Sequence, residues 1–155
     1  MQNKSILHNF TLKAFVLFSA VIVGSTAYAR VNKEAAAKFV PGAQILKEDG
    51  NEFDFKTAKN TVVEVELDSD GAVDEASGDL AHEGDVFNPS NGHLTLEAAL
   101  AALQKAGKNP AGDWSYEKSI KHGWIYEFEG HEDGKKMEYI ISATDGRMLT
   151  ESKDR

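Results

Sequence analysis

The sequence predicts an α+β fold made of two repeated units, each with one helix packed on a three- to four-stranded antiparallel sheet. This prediction rests first on a pattern that occurs over residues 50–73 and again over residues 123–148. In each copy an alternating strand leads through a turn to a second strand, an Asp-Gly turn and a short apolar tail. The order and spacing of the elements agree, which favours duplication over a chance likeness between two hairpins.

Residues 1–29 predict a signal peptide rather than a part of the fold. A polar start precedes a short apolar run over residues 14–23, and Ala27-Tyr28-Ala29 has the small-x-small pattern of a cleavage site. The run is shorter than the about 20 apolar residues that cross a bilayer, so an uncleaved anchor is the weaker alternative. We therefore expect a periplasmic or secreted protein that begins at Arg30 and does not insert into a membrane after cleavage.

The first predicted unit spans residues 30–76 and begins with a short helix. Asn32 can cap this helix, and Val40-Pro41-Gly42 ends it because proline disfavours helical backbone at the residue before it. Alternation of apolar and polar side chains then predicts three strands, the third of them rich in β-branched residues. The predicted bounds are 33–39 for the helix and 44–48, 52–56 and 61–67 for the strands.

An acidic, glycine-bearing and aperiodic stretch over residues 77–93 predicts a linker to the second unit, which spans residues 94–155. Thr95 caps a helix that Gly107 closes, and the apolar side chains of this helix share one stripe. Asp133-Gly134 is a strong hairpin signal between two of the strands that follow. The stripe consists of Leu96, Ala99, Leu100, Leu103 and Ala106, and the strands are predicted over 114–119, 124–129, 136–143 and 148–149.

Composition and charge limit the classes of partner. The chain has no cysteine, so two small units without disulfides are expected to pack together. The net charge is −8 and becomes −10 once the two lysines of the leader are removed. Residues 64–85 hold nine acids and no Lys or Arg. Nucleic acids and anionic lipid surfaces are disfavoured as partners because both need a basic face. A cation or a basic protein patch fits this charge. Solubility is the common alternative reason for so many surface acids.

The second unit resembles the PepSY domain family in its helix, one strand and its ending. The helix is Leu96-Glu97-Ala98-Ala99-Leu100, the strand is Trp124-Ile125-Tyr126-Glu127-Phe128, and the ending runs over residues 139–149 through an Asp-Gly turn. The first unit is similar to a more divergent PepSY repeat over residues 39–43 and 67–73. PepSY domains are known from propeptides of thermolysin-like peptidases and from stand-alone secreted or periplasmic proteins.

The resemblance implies a module without catalytic residues that restrains a peptidase. No peptidase domain follows in this chain, so such restraint would act in trans. From the residues themselves we also expect no enzyme, because the chain has no Gly-x-Ser-x-Gly elbow, no His-Glu-x-x-His motif and no phosphate-binding glycine loop. The leading hypothesis is therefore an exported binding module, a peptidase inhibitor or regulator, with a protein or peptide partner in the cell envelope and no cofactor.

Two aromatic side chains, Trp114 and Tyr116, are the candidate binding residues. They lie near the start of a predicted strand, where we expect partial exposure, and aromatic side chains on an exposed sheet face make good anchors for a partner. The alternative is that they fill the core with the other aromatic residues of the second unit.

A cation or small-ligand binder that uses the acidic stretch 64–85 is the rival hypothesis. Acids at Glu66, Asp68, Asp70 and Asp74 with Gly71 partly match a calcium loop. The first position is Glu rather than Asp, however, and Ser77 stands where a bidentate Glu is needed. A hairpin turn is therefore the favoured interpretation of this segment. The spacing of the histidines predicts no transition-metal site.

Overall fold

The computed structural model describes residues 33–80, 86–89 and 92–153. The predicted signal peptide lies outside these residues. A helical turn, α1, covers residues 33–36. The remaining elements are β1 Gln44–Asp49, β2 Glu52–Lys56, β3 Val62–Leu67, β4 Val73–Asp79, α2 Leu96–Lys105, β5 Pro110–Ser119, β6 Gly123–Glu132, β7 Lys135–Ser142 and β8 Met148–Lys153.

The eight strands form one antiparallel sheet in which each strand pairs with its neighbours in sequence, from β1 to β8. The prediction of two repeated helix-on-sheet units is therefore wrong. The sheet is continuous because β4 extends to Asp79 and pairs with β5 over five residues, with Ala76 opposite Tyr116 and Ser77 opposite Ser115. This pairing satisfies backbone groups that two separate sheets would leave unpaired at their edges.

The segment between β4 and α2 contributes to the core where the structure describes it. Phe87 is 1% exposed, and its carbonyl oxygen accepts a hydrogen bond from the Leu96 backbone N–H at 3.1 Å. The Asn88 N–H donates to the Phe39 carbonyl oxygen at 2.8 Å, which ties this segment to the chain after α1. The predicted linker 77–93 thus begins inside β4 and carries a buried aromatic side chain.

One face of the sheet carries the core and is covered by α2 and residues 86–89. Alternation along each strand sends every second side chain to this face, and the register aligns them across neighbouring strands. The predicted stripe of α2 is buried at Leu96, Ala99 and Leu103. The strand residues of the core cluster on this face are Phe53, Phe55, Val63, Val65, Leu67, Val73, Ala76, Trp114, Tyr116, Tyr126, Phe128, Met137, Tyr139 and Ile141.

Helix α2 begins at the predicted N-cap. The Thr95 Oγ1 accepts a hydrogen bond from the Ala98 backbone N–H at 3.2 Å, and Lys105 lies in the last turn, where a positive charge favours the helix dipole. Of the helices in the described ranges, none has the length and apolar character needed to cross a membrane.

Loss of this cap is expected to cost about 1 kcal/mol of the free energy of unfolding. Thr95→Ala removes the oxygen that accepts from the Ala98 N–H, whereas Thr95→Ser keeps it. Urea denaturation of the two variants measures the difference. Equal stability of the Ala and Ser variants would show that the cap contributes nothing.

Candidate binding face of the sheet

The face of the sheet opposite α2 is strongly acidic. The same alternation that buries the aromatic side chains sends carboxylates to this other face on six consecutive strands, β2 to β7. We call this surface the acidic face. It consists of Glu52, Asp54, Glu64, Glu66, Glu75, Asp79, Asp113, Glu117, Glu127, Glu129 and Glu138, all exposed or half-exposed.

Acids stand directly opposite one another across the strands. Glu52 pairs with Glu66, Glu66 with Glu75, and Glu75 with Glu117, so one row of four glutamates crosses β2 to β5. Asp79 is likewise opposite Asp113. Because like charges directly opposite each other destabilise a sheet, this arrangement lowers the stability of the fold.

A depression with a small-residue floor lies in the middle of the acidic face. Ser77 and Ser115 are opposite each other there, on β4 and β5, and in this cross-strand row Glu64 and Glu127 flank them. The depression has a volume of about 450 Å³, and Asp79, Asp113 and Glu129 also line it. A second depression of about 250 Å³ adjoins it and shares Glu64 and Ser77.

Two carboxyl groups of this face hold their protons more tightly than an ordinary glutamate. Partial burial, followed by the charge of the nearby Glu138 and a hydrogen bond shared with it, raises the pKa of Glu127 to about 7. Partial burial also raises the pKa of Glu75, with Glu117 and Glu66 adding repulsion. The charge of the acidic face therefore changes close to neutral pH.

Ion pairing with lysine neutralises part of this face. Lys136 on β7 forms an ion pair with Glu129 at 2.7 Å between Nζ and Oε1. Lys108 pairs with two other acids, Glu132 at 3.0 Å and Glu151 at 2.6 Å. These acids lie on the helix side of the sheet, and their hydrogen bonds raise the pKa of Lys108.

The prediction that Trp114 and Tyr116 are partly exposed is wrong. Trp114 is 2% exposed and Tyr116 is fully buried. The register places them opposite Phe128 and Tyr126, on the face that α2 covers. The ring of Phe87 packs on both, with centroid distances of 5.4 and 5.3 Å. They belong to the aromatic core, which is the alternative that the sequence left open.

The four acids of the partial calcium loop do not converge. Asp68 Oδ1 accepts hydrogen bonds from the backbone N–H groups of Asp70 and Ala72, at 2.8 and 3.0 Å, and so forms the β3–β4 turn. Glu66 lies on the acidic face, and Asp74 lies on β4. Across residues 33–80, 86–89 and 92–153, no group of three or more His, Cys, Asp or Glu side chains is arranged to hold a metal ion. The prediction that this segment forms a hairpin turn between β3 and β4 is confirmed.

Comparison of the chain with models of protein families, with curated proteins and with solved structures found no match. The PepSY resemblance accordingly stays a prediction that rests on the residues quoted for it.

Five of the eleven acids of the acidic face were not predicted from the sequence. The acidic stretch 64–85 lies in the first part of the chain, whereas Asp113, Glu117, Glu127, Glu129 and Glu138 come from β5 to β7. A signal existed, since Asp113 and Glu117 have one parity on β5 and Trp114 and Tyr116 have the other. This alternation indicates an acidic face behind an aromatic one.

Proposed function

We propose that this chain is an exported, non-catalytic binding protein that presents the acidic face to a protein or peptide partner in the cell envelope. The observation that carries the proposal is the row of four glutamates across β2 to β5 on a face that α2 leaves uncovered. Such a row costs stability and is complementary to positive charge on a partner. An extracytoplasmic peptidase is the partner class that the PepSY resemblance implies, with inhibition or regulation in trans as the activity.

The shape of the acidic face favours a macromolecular partner. Neighbouring strands lie about 4.8 Å apart, so the row of glutamates extends over roughly 14 Å, and carboxylates continue to β7. Pockets for small molecules enclose most of the ligand surface, whereas this face is a broad sheet with shallow depressions. A surface of this breadth suits a partner that also presents an extended surface.

Capture from the native envelope fraction, followed by peptidase assays, tests this proposal. The full chain and the variant Glu66→Gln/Glu75→Gln/Glu117→Gln are used as baits. We expect an envelope protein to bind the unchanged chain, to be lost from the variant and to be released by salt, because exposed charges are screened. A captured peptidase should also be slowed by the unchanged chain. Failure to bind any envelope protein, or equal binding by the variant, would contradict the proposal.

A cation or small-ligand binder that uses residues 64–85 is the second candidate. The smaller depression favours it, because Glu52, Asp54, Glu64, Glu66 and Glu75 line that space together with Lys47; among the described residues, however, no three of these carboxylates are grouped to hold a metal ion. A ligand at a hundredfold excess over its dissociation constant stabilises the folded state by about 2.7 kcal/mol. Thermal melting with calcium, zinc or a chelator would show such a shift, and unchanged melting with each would exclude these cations.

A further inference from the structure

We propose that the partner segment is an extended polypeptide with Lys or Arg at alternate positions, which lies along β4 and β5 on the acidic face. This inference rests on the proposed function and specifies the chemistry of its partner. The segment places one basic side chain over the floor formed by Ser77 and Ser115, and a basic side chain over the acids on either side of it.

Three pairs of polar side chains lie opposite each other along β4 and β5 on the acidic face, and we call these pairs stations. Glu75 and Glu117 form the first, and Asp79 and Asp113 form the third. Between them lies the pair of serines, with Glu64 and Glu127 beside it on β3 and β6. Successive stations are two residues apart along each strand, which corresponds to about 6.8 Å.

The spacing of the stations matches an extended polypeptide. Side chains on one face of an extended chain also recur every two residues, about 6.8 Å apart. Basic residues at positions i, i+2 and i+4 therefore reach the three stations in register, whereas adjacent basic residues point to opposite faces. We therefore expect the partner to have alternating basic residues, and not only a positive charge.

The groups at the stations fit ammonium and guanidinium better than a metal ion. The first and third stations stand about 14 Å apart, so their carboxylates cannot share one ion with bonds of about 2.0 to 2.6 Å. Lys supplies three donors and Arg five, and these can be divided among the opposed carboxylates and the serine hydroxyls. The small side chains of the floor leave the middle basic side chain room in the depression of about 450 Å³, and Asp79 and Asp113 of the third station line the same depression.

Binding of two peptides of equal composition to the full chain tests the inference. One peptide alternates lysine with threonine, and the other has the same lysines adjacent to each other. We expect the alternating peptide to bind about tenfold more tightly, and both to weaken as salt is added. Equal affinities for the two peptides would overturn the inference.

Three variants locate the binding site. Asp113→Asn/Glu117→Gln removes two charges beside the serine floor, and Ser77→Gln fills the floor without changing the charge. Asp70→Asn/Asp133→Asn removes the same two charges from turns and is the matched control. We expect the first two variants to bind the alternating peptide about tenfold more weakly and the control to bind it nearly as the unchanged chain does. Equal weakening by the control, or no weakening by Ser77→Gln, would show general attraction to acidic protein instead.

The peptide experiment and the capture experiment together distinguish a failure of this inference from a failure of the proposed function. An envelope partner that is lost from the Glu66/Glu75/Glu117 variant, together with equal binding of the two peptides, supports the proposed function and overturns this inference. Preference for the alternating peptide without any envelope partner supports the inference and counts against the proposed function.

Discussion

Replacing Phe87 with alanine is expected to lower the free energy of unfolding by about 3–5 kcal/mol. The ring is 1% exposed and lies between the segment before α2 and the aromatic side chains of β5 and β6. Its removal leaves a cavity beside Trp114 and Tyr116, which the rigid sheet cannot close. Because small proteins are stable by only about 5–15 kcal/mol, a large share of the stability depends on this one residue.

Val86→Ala is the matched control for Phe87→Ala. Val86 precedes Phe87 in the same segment but is 47% exposed, so its truncation should change stability by less than about 0.5 kcal/mol. Urea unfolding followed by tryptophan fluorescence measures both, since the Trp114 ring lies 5.4 Å from Phe87. One transition is expected for each protein, because the strands form one sheet. Similar stabilities for the two variants would contradict a core role of Phe87.

Glu127→Gln is expected to stabilise the protein at and above neutral pH. The pKa of Glu127 in the folded state is raised to about 7 from the ordinary 4.5, so the folded state binds this proton more tightly than the unfolded state does. The resulting stabilisation is present below about pH 4.5 and is lost as the pH rises through 7. The carboxyl group is partly exposed, and solvent screening reduces the effect to the order of 1 kcal/mol.

Melting curves of the unchanged chain and of Glu127→Gln between acidic and alkaline pH measure this effect. The advantage of the variant should grow as the pH rises through 7. Asp70→Asn removes the same charge from the β3–β4 turn, and subtracting its effect isolates the surroundings of Glu127. Glu138→Gln removes the neighbour that repels Glu127 and should act in the same direction. Parallel pH profiles for the unchanged chain and Glu127→Gln would rule out the raised pKa.

Alternation and capping predicted most elements of the fold, whereas the joining of its two halves could not be predicted. Helix α2 begins at the predicted cap, and the strands around Phe53, Val65 and Phe128 lie where alternation predicted them. The continuation of β4 through Ser77-Gly78-Asp79 resembles a loop in composition. Its glycine is needed because a Cβ at Gly78 would lie 2.9 Å from the Trp114 indole nitrogen, and tertiary packing therefore overrides local propensity.

The acidic face could not be predicted for the same reason, because it depends on the pairing of β4 with β5. The row from Glu52 to Glu117 becomes visible only once β4 is known to pair with β5, and no local pattern specifies that register. The error on Trp114 and Tyr116 is different in kind. Their alternation with Asp113, Ser115 and Glu117 on β5 indicates the buried face, whereas their position near a strand start favours partial exposure, and the alternation is what the structure follows.

The strand order also has a consequence for how the chain reaches its native state. Six of the seven strand pairings join elements separated by short turns, and only β4 and β5 must meet across residues 80–109. Closing that longer loop costs the most chain entropy, so hairpins on either side should form first and the central pairing last. We therefore expect the slow step of refolding to be the docking of the two β-meanders, which brings Ser77 beside Ser115 and so forms the floor of the depression as it completes the sheet.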